Sequence, residues 1–350
     1  MQRIYIGWSS FFQDYFFDYE RIPFALVAIA LVSVIGAVSG PLAANANPFY
    51  WLIVDTILGK FGDRLDRRHR EAATLVFRGL LVTGLALALT FYIAHVFGQL
   101  VLRVPPATFA EGFVVSLALT SGAVWFALMR LYRALDKKQP VTGAYYTISR
   151  SSRVNLAATD DFGITRSAIN YAARSFDKGF VAPLFWYLAA GLPALFIYAC
   201  LSGLSWRFGK LGFTKGFGVV PLMLERIAGF VPSMLAALIL TLATLFTPKA
   251  AVYKSLAGWA HLRQAGQPPL TILAWALDLS LGGPGQDVTG SAIQTGWTGP
   301  ELASAKIDHH RLRQVVYSLV IAVLLLVAGL LAVYLWAKGG WPHLLEQLSL

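Results

Sequence analysis

Charged residues are scarce in this sequence of 350 residues. Asp, Glu, Lys and Arg make up only 13% of the chain, whereas hydrophobic residues make up 57% and the mean hydropathy is +0.60. A soluble domain carries about 25% charged residues, so this supply cannot cover a surface that faces water on all sides. The composition therefore argues against a soluble protein and predicts that lipid covers much of the molecule.

Cysteine is nearly absent, since Cys200 is the only one, and this excludes an intrachain disulfide and a cysteine metal cluster. Acidic residues are also few, because 18 Asp and Glu stand against 29 Lys and Arg. The basic residues lie between apolar runs rather than on one face of a soluble module. This pattern argues against a nucleic-acid partner and is typical of loops held on the cytoplasmic side of a bilayer.

Six apolar runs approach the roughly 20 residues that a membrane-spanning helix needs. They are Ile22–Gly40, Gly79–Phe97, Phe113–Met129, Phe180–Leu204, Val231–Leu245 and Val315–Trp336. We therefore predict an all-α, polytopic helical membrane protein. The segment Gly191-Leu192-Pro193 predicts a break in the fourth run, shielded by neighbouring helices. If that run is a re-entrant hairpin, the chain crosses four times rather than six, and the sequence leaves both topologies open.

Three long loops between these runs hold 21 of the 29 Lys and Arg: 41–78, 130–179 and 246–314. Positive loops stay on the cytoplasmic side, so we expect all three there, with the protein in the cell inner (plasma) membrane. Loops of this length are usually functional or structured. We further expect an aromatic-rich interfacial segment at 1–21, a membrane domain at 22–336 and a short tail at 337–350.

Short motifs add a few local expectations. Asp160 and Asp161 are expected to be N-cap residues of a helix that starts near Phe162. The Gly- and Lys-rich stretch that contains Lys210 and Lys215 does not have P-loop spacing, although such a backbone can still cradle phosphate. His309 and His310 are adjacent, and adjacent helical residues point in different directions, so we predict no shared metal.

Glu225 and Arg226 form the main charged pair beside an apolar run. Charge near the membrane marks a functional site by default, but an interfacial ion pair that sets a helix boundary would look the same. The sequence leaves these two interpretations equal, with Glu225 expected to be paired with its neighbour.

Four stretches, in this order, resemble the CobD/CbiB family of cobalamin biosynthesis over roughly residues 40–335. They are Asn47–Leu52, Ile164–Ala173 running into Gly179–Phe185, Leu224–Pro232 and Leu281–Pro284. The resemblance implies a membrane enzyme that joins an aminopropanol-type amine to a corrinoid carboxylate, with ATP driving amide formation. Such chemistry needs carboxylates that hold Mg²⁺ and groups that bind phosphate.

The chain departs from the family pattern mainly at polar positions. The glutamates of the family fall on Asn170 and Arg174, its aspartate falls on Lys178 beside Asp177, and its paired aspartates fall on Glu225 and Arg226. Basic residues in place of acids repel Mg²⁺ rather than hold it. ATP and Mg²⁺ are therefore expected as cofactors only if the family activity is retained.

Candidate site residues follow from this comparison. The acids that remain as catalytic candidates are Asp177, Glu225 and Asp287. The candidates for binding a ligand or phosphate are Arg166, Arg174, Lys178, Lys210, Lys215, Gly282 and Gly283. Two hypotheses stay open: a divergent amide-forming ligase, or a non-catalytic scaffold that binds an anionic ligand. The implied partners are the lipid bilayer, a corrinoid substrate and other cobalamin-pathway proteins.

Overall fold

The computed structural model describes residues 18–66, 71–103, 105–137, 142–157, 159–209, 216–262, 267–288, 290–293 and 295–339. Most of these residues are helical. Most of the aromatic-rich segment at the N-terminus, and the stretch that contains Lys210 and Lys215, lie outside the described residues.

The first half of the chain begins with a 3₁₀ turn at Tyr19–Arg21 and has a π-helical turn at Asp55–Gly59. Its α-helices are α1 (Ile22–Ser39), α2 (Phe49–Val54), α3 (Lys60–Leu65), α4 (Ala72–Arg103), α5 (Pro105–Ser116), α6 (Gly122–Asp136) and α7 (Thr142–Ser152). Helix α1 packs against α5 and α6, so these three form one layer of the bundle.

The second half contains the other helical elements. They are α8 (Asp161–Phe176), a π-helical turn (Asp177–Val181), α9 (Ala182–Phe208), α10 (Val219–Ala228), α11 (Phe230–Thr244), α12 (Val252–Trp259), α13 (Pro268–Leu277) and α14 (His310–Ala337). The Asp160 side chain accepts from the Gly163 N–H at 2.9 Å, which confirms the predicted N-cap of α8. Helix α9 packs on α4, and α14 packs on α11 and α6.

In the described part of the chain, four helices are long and apolar enough to cross a membrane: Tyr19–Ser39, Ala72–Gln99, Asp161–Phe208 and His310–Ala337. Helices α10 and α11, bent by 58° at their junction, pass the same test together as a fifth candidate. Large apolar side chains on these helices face outward, with Val38 79%, Leu85 69% and Trp336 74% exposed. Such outward apolar faces suit lipid, and the predicted all-α fold of a polytopic membrane protein is confirmed.

One predicted span, Phe113–Met129, is wrong as a continuous helix. The chain leaves the helix between α5 and α6, where Thr120 donates its hydroxyl to the Ala46 carbonyl at 2.6 Å and its N–H to the Gly179 carbonyl at 2.9 Å. These bonds tie the break to the Asn45–Asn47 region and to the π-helical turn. Long-range hydrogen bonds of this kind leave no trace in hydropathy, so the pattern alone could not reveal the break.

The predicted break in the fourth run is confirmed. Ala190 and Gly191 are non-helical, and Gly191 has a φ of 74°, in the left-handed region that glycine tolerates. Arg21 donates from Nη1 to the Leu188 carbonyl at 3.3 Å and so satisfies backbone at the kink. Shielding of this kind is what membrane depth requires of non-helical backbone.

The π-helical turn at Asp177–Val181 joins α8 to α9 in one helical stretch of 48 residues. Its 29 residues from Asp161 to Ala189, before the kink in α9, span about 44 Å at 1.5 Å per residue, whereas the hydrocarbon core is about 30 Å thick. Part of this stretch must therefore lie outside the hydrocarbon unless it is strongly tilted. The predicted loop 130–179 is thus largely helical, because it contains α7 and α8.

Two small antiparallel strand pairs follow α13. Strand β1 (Leu281–Gly282) pairs with β4 (Trp297–Thr298), and β2 (Gly285–Gln286) pairs with β3 (Ala292–Ile293). The arch formed by these four strands contacts α8 and connects through residues 299–309 to α14. The arch thus places the Leu-Gly-Gly-Pro turn, Leu281–Pro284, against α8.

Candidate functional site

A cavity of about 280 Å³ lies between α8, the β arch and the ends of α7 and α9. All four stretches singled out in the sequence contribute to its lining, through Asn47, Asn170, Arg226 and Gly282 among others. These residues are up to 235 positions apart in the chain. Their convergence identifies the cavity as the candidate functional site, and we call it the arginine pocket.

Helix α8 provides one wall of the arginine pocket. Arg166, Asn170 and Arg174 are spaced four residues apart, so they share one face of the helix, and all three line the cavity. The helix is amphipathic, because Ala168 and Ala172 on its opposite side are fully buried. Both arginines are candidates from the sequence, and the structure brings them together.

Five arginines line the pocket, and Asp287 is the only carboxylate among the described lining residues. The arginines are Arg153, Arg166, Arg174, Arg207 and Arg226. Arg207 is paired with Asp55 and Asp63. Among the described residues, Arg166, Arg174 and Arg226 make no ion pair, so the cavity has an excess of positive charge.

Electrostatic repulsion is already visible at Arg153. Burial lowers the pKa of this guanidinium from its ordinary value, and the neighbouring Arg207 lowers the pKa further. Asp287, Asp55 and Asp63 act in the opposite direction. Cations held together in partial burial favour an anion between them, because the anion relieves both the repulsion and the lost hydration. Arg153 is not among the site residues predicted from the sequence, because only its basic side chain distinguishes it there.

The Leu-Gly-Gly-Pro turn forms a second wall of the pocket, in contact with α8. Gly282 and Gly283 have φ values of 77° and 80°, and a Cβ at Gly282 would collide with the Gly296 carbonyl oxygen. Asn170 holds this turn, because its Oδ1 accepts from the Gly282 N–H at 3.1 Å and its Nδ2 donates to the Gly282 carbonyl at 3.5 Å. Asn170, which stands where the resemblance places a glutamate, thus holds the backbone of the turn in place.

Aromatic rings surround the charges. The Arg166 guanidinium lies 4.8 Å from the centre of the Trp297 ring, and that of Arg153 lies 5.6 Å from Trp206. Trp206 in turn donates from Nε1 to the Ser151 carbonyl at 2.7 Å. Such contacts orient the guanidinium groups while leaving N–H donors for a ligand. Composition alone does not locate these tryptophans near arginine.

Asn47 attaches the first of the four stretches to the pocket. Its Nδ2 donates to the Ser151 carbonyl at 2.9 Å, and its Oδ1 accepts from the Tyr171 hydroxyl at 3.2 Å. Asn47, Ser151 and Tyr171 are all buried. This network fixes α7 and α8 relative to α2, so it positions the arginines rather than presenting free donors of its own.

Two of the predicted catalytic acids lie outside the pocket lining, in a separate buried cluster. Asp177 accepts from the Ser233 hydroxyl at 2.8 and 2.9 Å, and Lys178 donates from Nζ to the same Ser233 oxygen at 3.0 Å. Lys178 also lies 3.5 Å from Asp177. This triad links the π-helical turn to α11 and leaves Lys178, a predicted phosphate ligand, engaged with an acid.

Glu225 belongs to the same buried region, and its predicted pairing with Arg226 is wrong. Its Oε2 accepts from the Ser205 hydroxyl at 2.8 Å, and in the described part of the chain it makes no ion pair with Arg226. Adjacent helical residues point apart, so Glu225 turns inward, only 3% exposed, while Arg226 reaches the pocket. The Glu225 Oε1 and the Tyr198 hydroxyl are buried without hydrogen-bond partners among the described residues.

The fit of ATP and Mg²⁺ to the pocket is uneven. Five arginines and the positive-φ turn suit phosphate oxygens. Mg²⁺ prefers oxygen ligands, usually one or two carboxylates with waters. Asp287 is buried and is the one carboxylate in the described lining, set among guanidinium groups. The lining therefore fits the anion and does not fit a resident Mg²⁺.

The fold and the pocket together define a helical membrane protein with a strongly cationic cavity beside its apolar bundle. The CobD/Cbib protein family matches residues 46–319, which is more than three quarters of the chain. The chain therefore belongs to the CobD/CbiB family.

Individual relatives agree with this membership. A cobalamin biosynthesis protein CobD from Sinorhizobium sp. is 28% identical over 236 residues, covering 65% of this chain and 72% of the relative. One from Brucella melitensis is 28% identical over 229 residues, covering 58% and 66%. A probable cobalamin biosynthesis protein CobD from Pyrococcus abyssi is 25% identical over 218 residues, covering 61% and 70%. No solved structure matches the chain.

Proposed function

We propose that this protein serves cobalamin biosynthesis in the inner membrane by binding an anionic, phosphate-bearing ligand in the arginine pocket. Family membership and the names of the relatives support the pathway. The apolar helices support the membrane location, and the excess of Lys and Arg in the loops supports an orientation with the pocket on the cytoplasmic side.

One observation carries the ligand class. Arg166, Arg174 and Arg226 come from two different helices and line one cavity without an ion pair among the described residues. Uncompensated guanidinium groups in a half-enclosed site are costly unless an anion joins them. Phosphate suits them because a guanidinium donates two parallel hydrogen bonds to its oxygens.

The family reaction is a second candidate function. ATP-driven ligation of an aminopropanol-type amine to a corrinoid carboxylate is favoured by the placement of Asp287 in the pocket, beside groups that would hold phosphate. It is disfavoured by the positions of Asp177 and Glu225, which are bonded to serines outside the lining. We therefore favour anion binding without ligation, as a scaffold or partner subunit of the pathway.

Binding of inorganic tripolyphosphate tests the ligand class. The detergent-solubilised full chain is titrated by calorimetry in EDTA, which removes divalent metal. We expect one saturable site in the wild type and at least a tenfold weaker affinity in Arg174→Gln, since a hydrogen bond to a charged group contributes about 1.5–3 kcal/mol.

Arg130→Gln is the matched control, because Arg130 is exposed on α6 and lies outside the lining of the arginine pocket. It removes the same charge and should change the affinity less than twofold. Absence of a saturable site, or equal losses in the two variants, would refute anion binding in this pocket.

A further inference from the structure

A second cluster of polar side chains joins the end of α6 to the start of α14, away from the arginine pocket. Asp136, His309 and His310 each present one ligand atom, and these atoms lie within 4.8 Å of one another. The expectation that neighbouring histidines diverge is wrong here, because their rings lie 4.3 Å apart. His309 is the N-cap residue of α14 and His310 is its first residue. No earlier helical turn fills the space beside their side chains, so the two rings can lie together.

The hydrogen-bonding pattern of His309 is that of a metal ligand. Asp308 Oδ1 lies 2.8 Å from His309 Nδ1, which places the ring proton there and leaves Nε2 with a free lone pair. That Nε2 is buried and makes no hydrogen bond within the described residues. A carboxylate behind the non-ligating nitrogen is the usual way in which proteins orient a histidine toward a metal.

The spacing also fits a small tetrahedral ion. Bonds of about 2.0–2.2 Å at tetrahedral angles put neighbouring ligand atoms about 3.4 Å apart. His309 Nε2 lies 3.5 Å from Asp136 Oδ1, close to this separation. The His310 ligand atom lies within 4.8 Å of the other two, and its side chain is 60% exposed at the surface.

The surroundings favour a cation. Asp136 and Asp308 contribute two carboxylates at the cluster, and Tyr132 packs its ring 5.9 Å from both imidazoles. The nearby Arg311 is turned along its helix, where it donates to Gln314 at 2.7 Å. The Asp136 side chain is 45% exposed, so an ion and a water molecule can reach the cluster from solvent.

We propose that Asp136, His309 and His310 bind a divalent transition metal, with Zn²⁺ as the fitting ion and water as the fourth ligand. Two imidazoles and one carboxylate suit Zn²⁺, whereas Mg²⁺ and Ca²⁺ prefer all-oxygen sites. The metal ties α6 to α14 directly after the segment that returns from the β arch. None of these three residues lines the arginine pocket, so the metal site is independent of the ligand in the pocket.

Metal binding by the purified full chain tests the proposal. The protein is prepared with a histidine-free affinity tag, stripped with EDTA, and titrated with CoCl₂ and then ZnCl₂. We expect one equivalent of Co²⁺ with visible absorption bands of a four-coordinate ion, displaced by one equivalent of Zn²⁺, and a rise in the thermal midpoint. His309→Ala and Asp136→Asn should each weaken affinity at least tenfold.

His95→Ala is the control, because His95 lies on α4 and removes one histidine elsewhere. It should leave the stoichiometry and affinity unchanged. Equal thermal midpoints of all variants in EDTA establish that they fold. If the protein binds no saturable equivalent of Co²⁺, or if His309→Ala or Asp136→Asn binds it as tightly as the wild type, the proposed metal site is wrong. The cluster would then only form hydrogen bonds at the start of α14.

Discussion

At the scale of single residues, the clearest finding concerns positions where the family pattern is replaced. Asn170 and Arg174 stand where the resemblance places glutamates, and both remain at the site in changed roles. Asn170 now clamps the Gly282 peptide, and Arg174 lines the pocket. These contacts are the basis of the proposal that the pocket binds an anion rather than a cation.

The glycine turn gives a test of how tightly the pocket wall is built. Gly282→Ala adds a Cβ that collides with the Gly296 carbonyl, in addition to about 1–2 kcal/mol of left-handed backbone strain. Gly290→Ala is the control, because its φ of 76° is nearly the same but nothing lies within 4 Å. We expect thermal unfolding to show a larger loss for Gly282→Ala, together with weaker tripolyphosphate binding. Equal losses would show that strain alone matters at this turn.

Residue roles were only partly predictable from the sequence. The Asp160 cap was correct because capping depends on a short local pattern. The pairing of Glu225 with Arg226 was wrong because sequence adjacency on a helix separates side chains, and Ser205 is 20 positions away. Lys210 and Lys215 stay predictions outside the described residues, and Asp177, Glu225 and Asp287 stay untested as catalytic residues.

At the scale of elements, close helix contacts hold the bundle together. Helices α1 and α6 meet backbone to backbone, since a Cβ at Gly36 would lie 2.5 Å from the Ala123 nitrogen and one at Gly122 would strike the Ser33 carbonyl. The hydroxyls of Ser33 and Ser121 lie 2.9 Å apart beside this crossing. Small residues and hydroxyl groups at such crossings are the usual means of packing helices in lipid.

This crossing yields a stability prediction. Gly122→Ala should separate α1 from α6 and lower the thermal midpoint of the solubilised protein by several degrees. Gly84→Ala on α4 has open space around its Cβ and should be neutral or slightly stabilising, since alanine favours helix. A Gly122→Ala variant as stable as Gly84→Ala would contradict the tight crossing.

Two breaks show why the sequence predicted one helix boundary and missed another. Gly191 and Pro193 predict the kink in α9, because their own backbone preferences disfavour a continuous helix. The break between α5 and α6 depends instead on Thr120, which bonds to Ala46 and Gly179. Its cause lies in distant partners, and so a local pattern cannot contain it.

At the scale of the whole molecule, the charge distribution predicts an orientation. The loops 41–78 and 130–179 hold 15 of the 29 Lys and Arg, which favours the cytoplasmic side for both. Cys200 is the only cysteine, so Cys200→Ala gives a cysteine-free background for accessibility labelling. Arg64→Cys and Lys137→Cys, one in each loop, should react with a membrane-impermeant thiol reagent only after the membrane is opened. Labelling of intact cells from the periplasmic side would contradict the orientation.

Composition and periodicity could not predict that the four stretches surround one cavity. Their order along the chain indicated the family, but only the fold shows that Asn47, Asn170, Arg226 and Gly282 meet. The sequence did predict that basic residues had replaced acids. The structure adds that Asp177 and Glu225, the acids that remain there, are bonded to serines outside the pocket lining.

Complementation of a cobalamin-requiring strain that lacks its own CobD/CbiB enzyme tests the central claim most directly. Because the described pocket lining offers Asp287 alone among five arginines, we predict that the full chain, expressed and inserted in the membrane, will not restore growth. Arg174→Gln should behave identically in this assay while losing tripolyphosphate binding in vitro. Restored growth that Asp287→Asn, or Asp177→Ala with Glu225→Ala, abolishes would show that the ligase site is intact and the account is wrong.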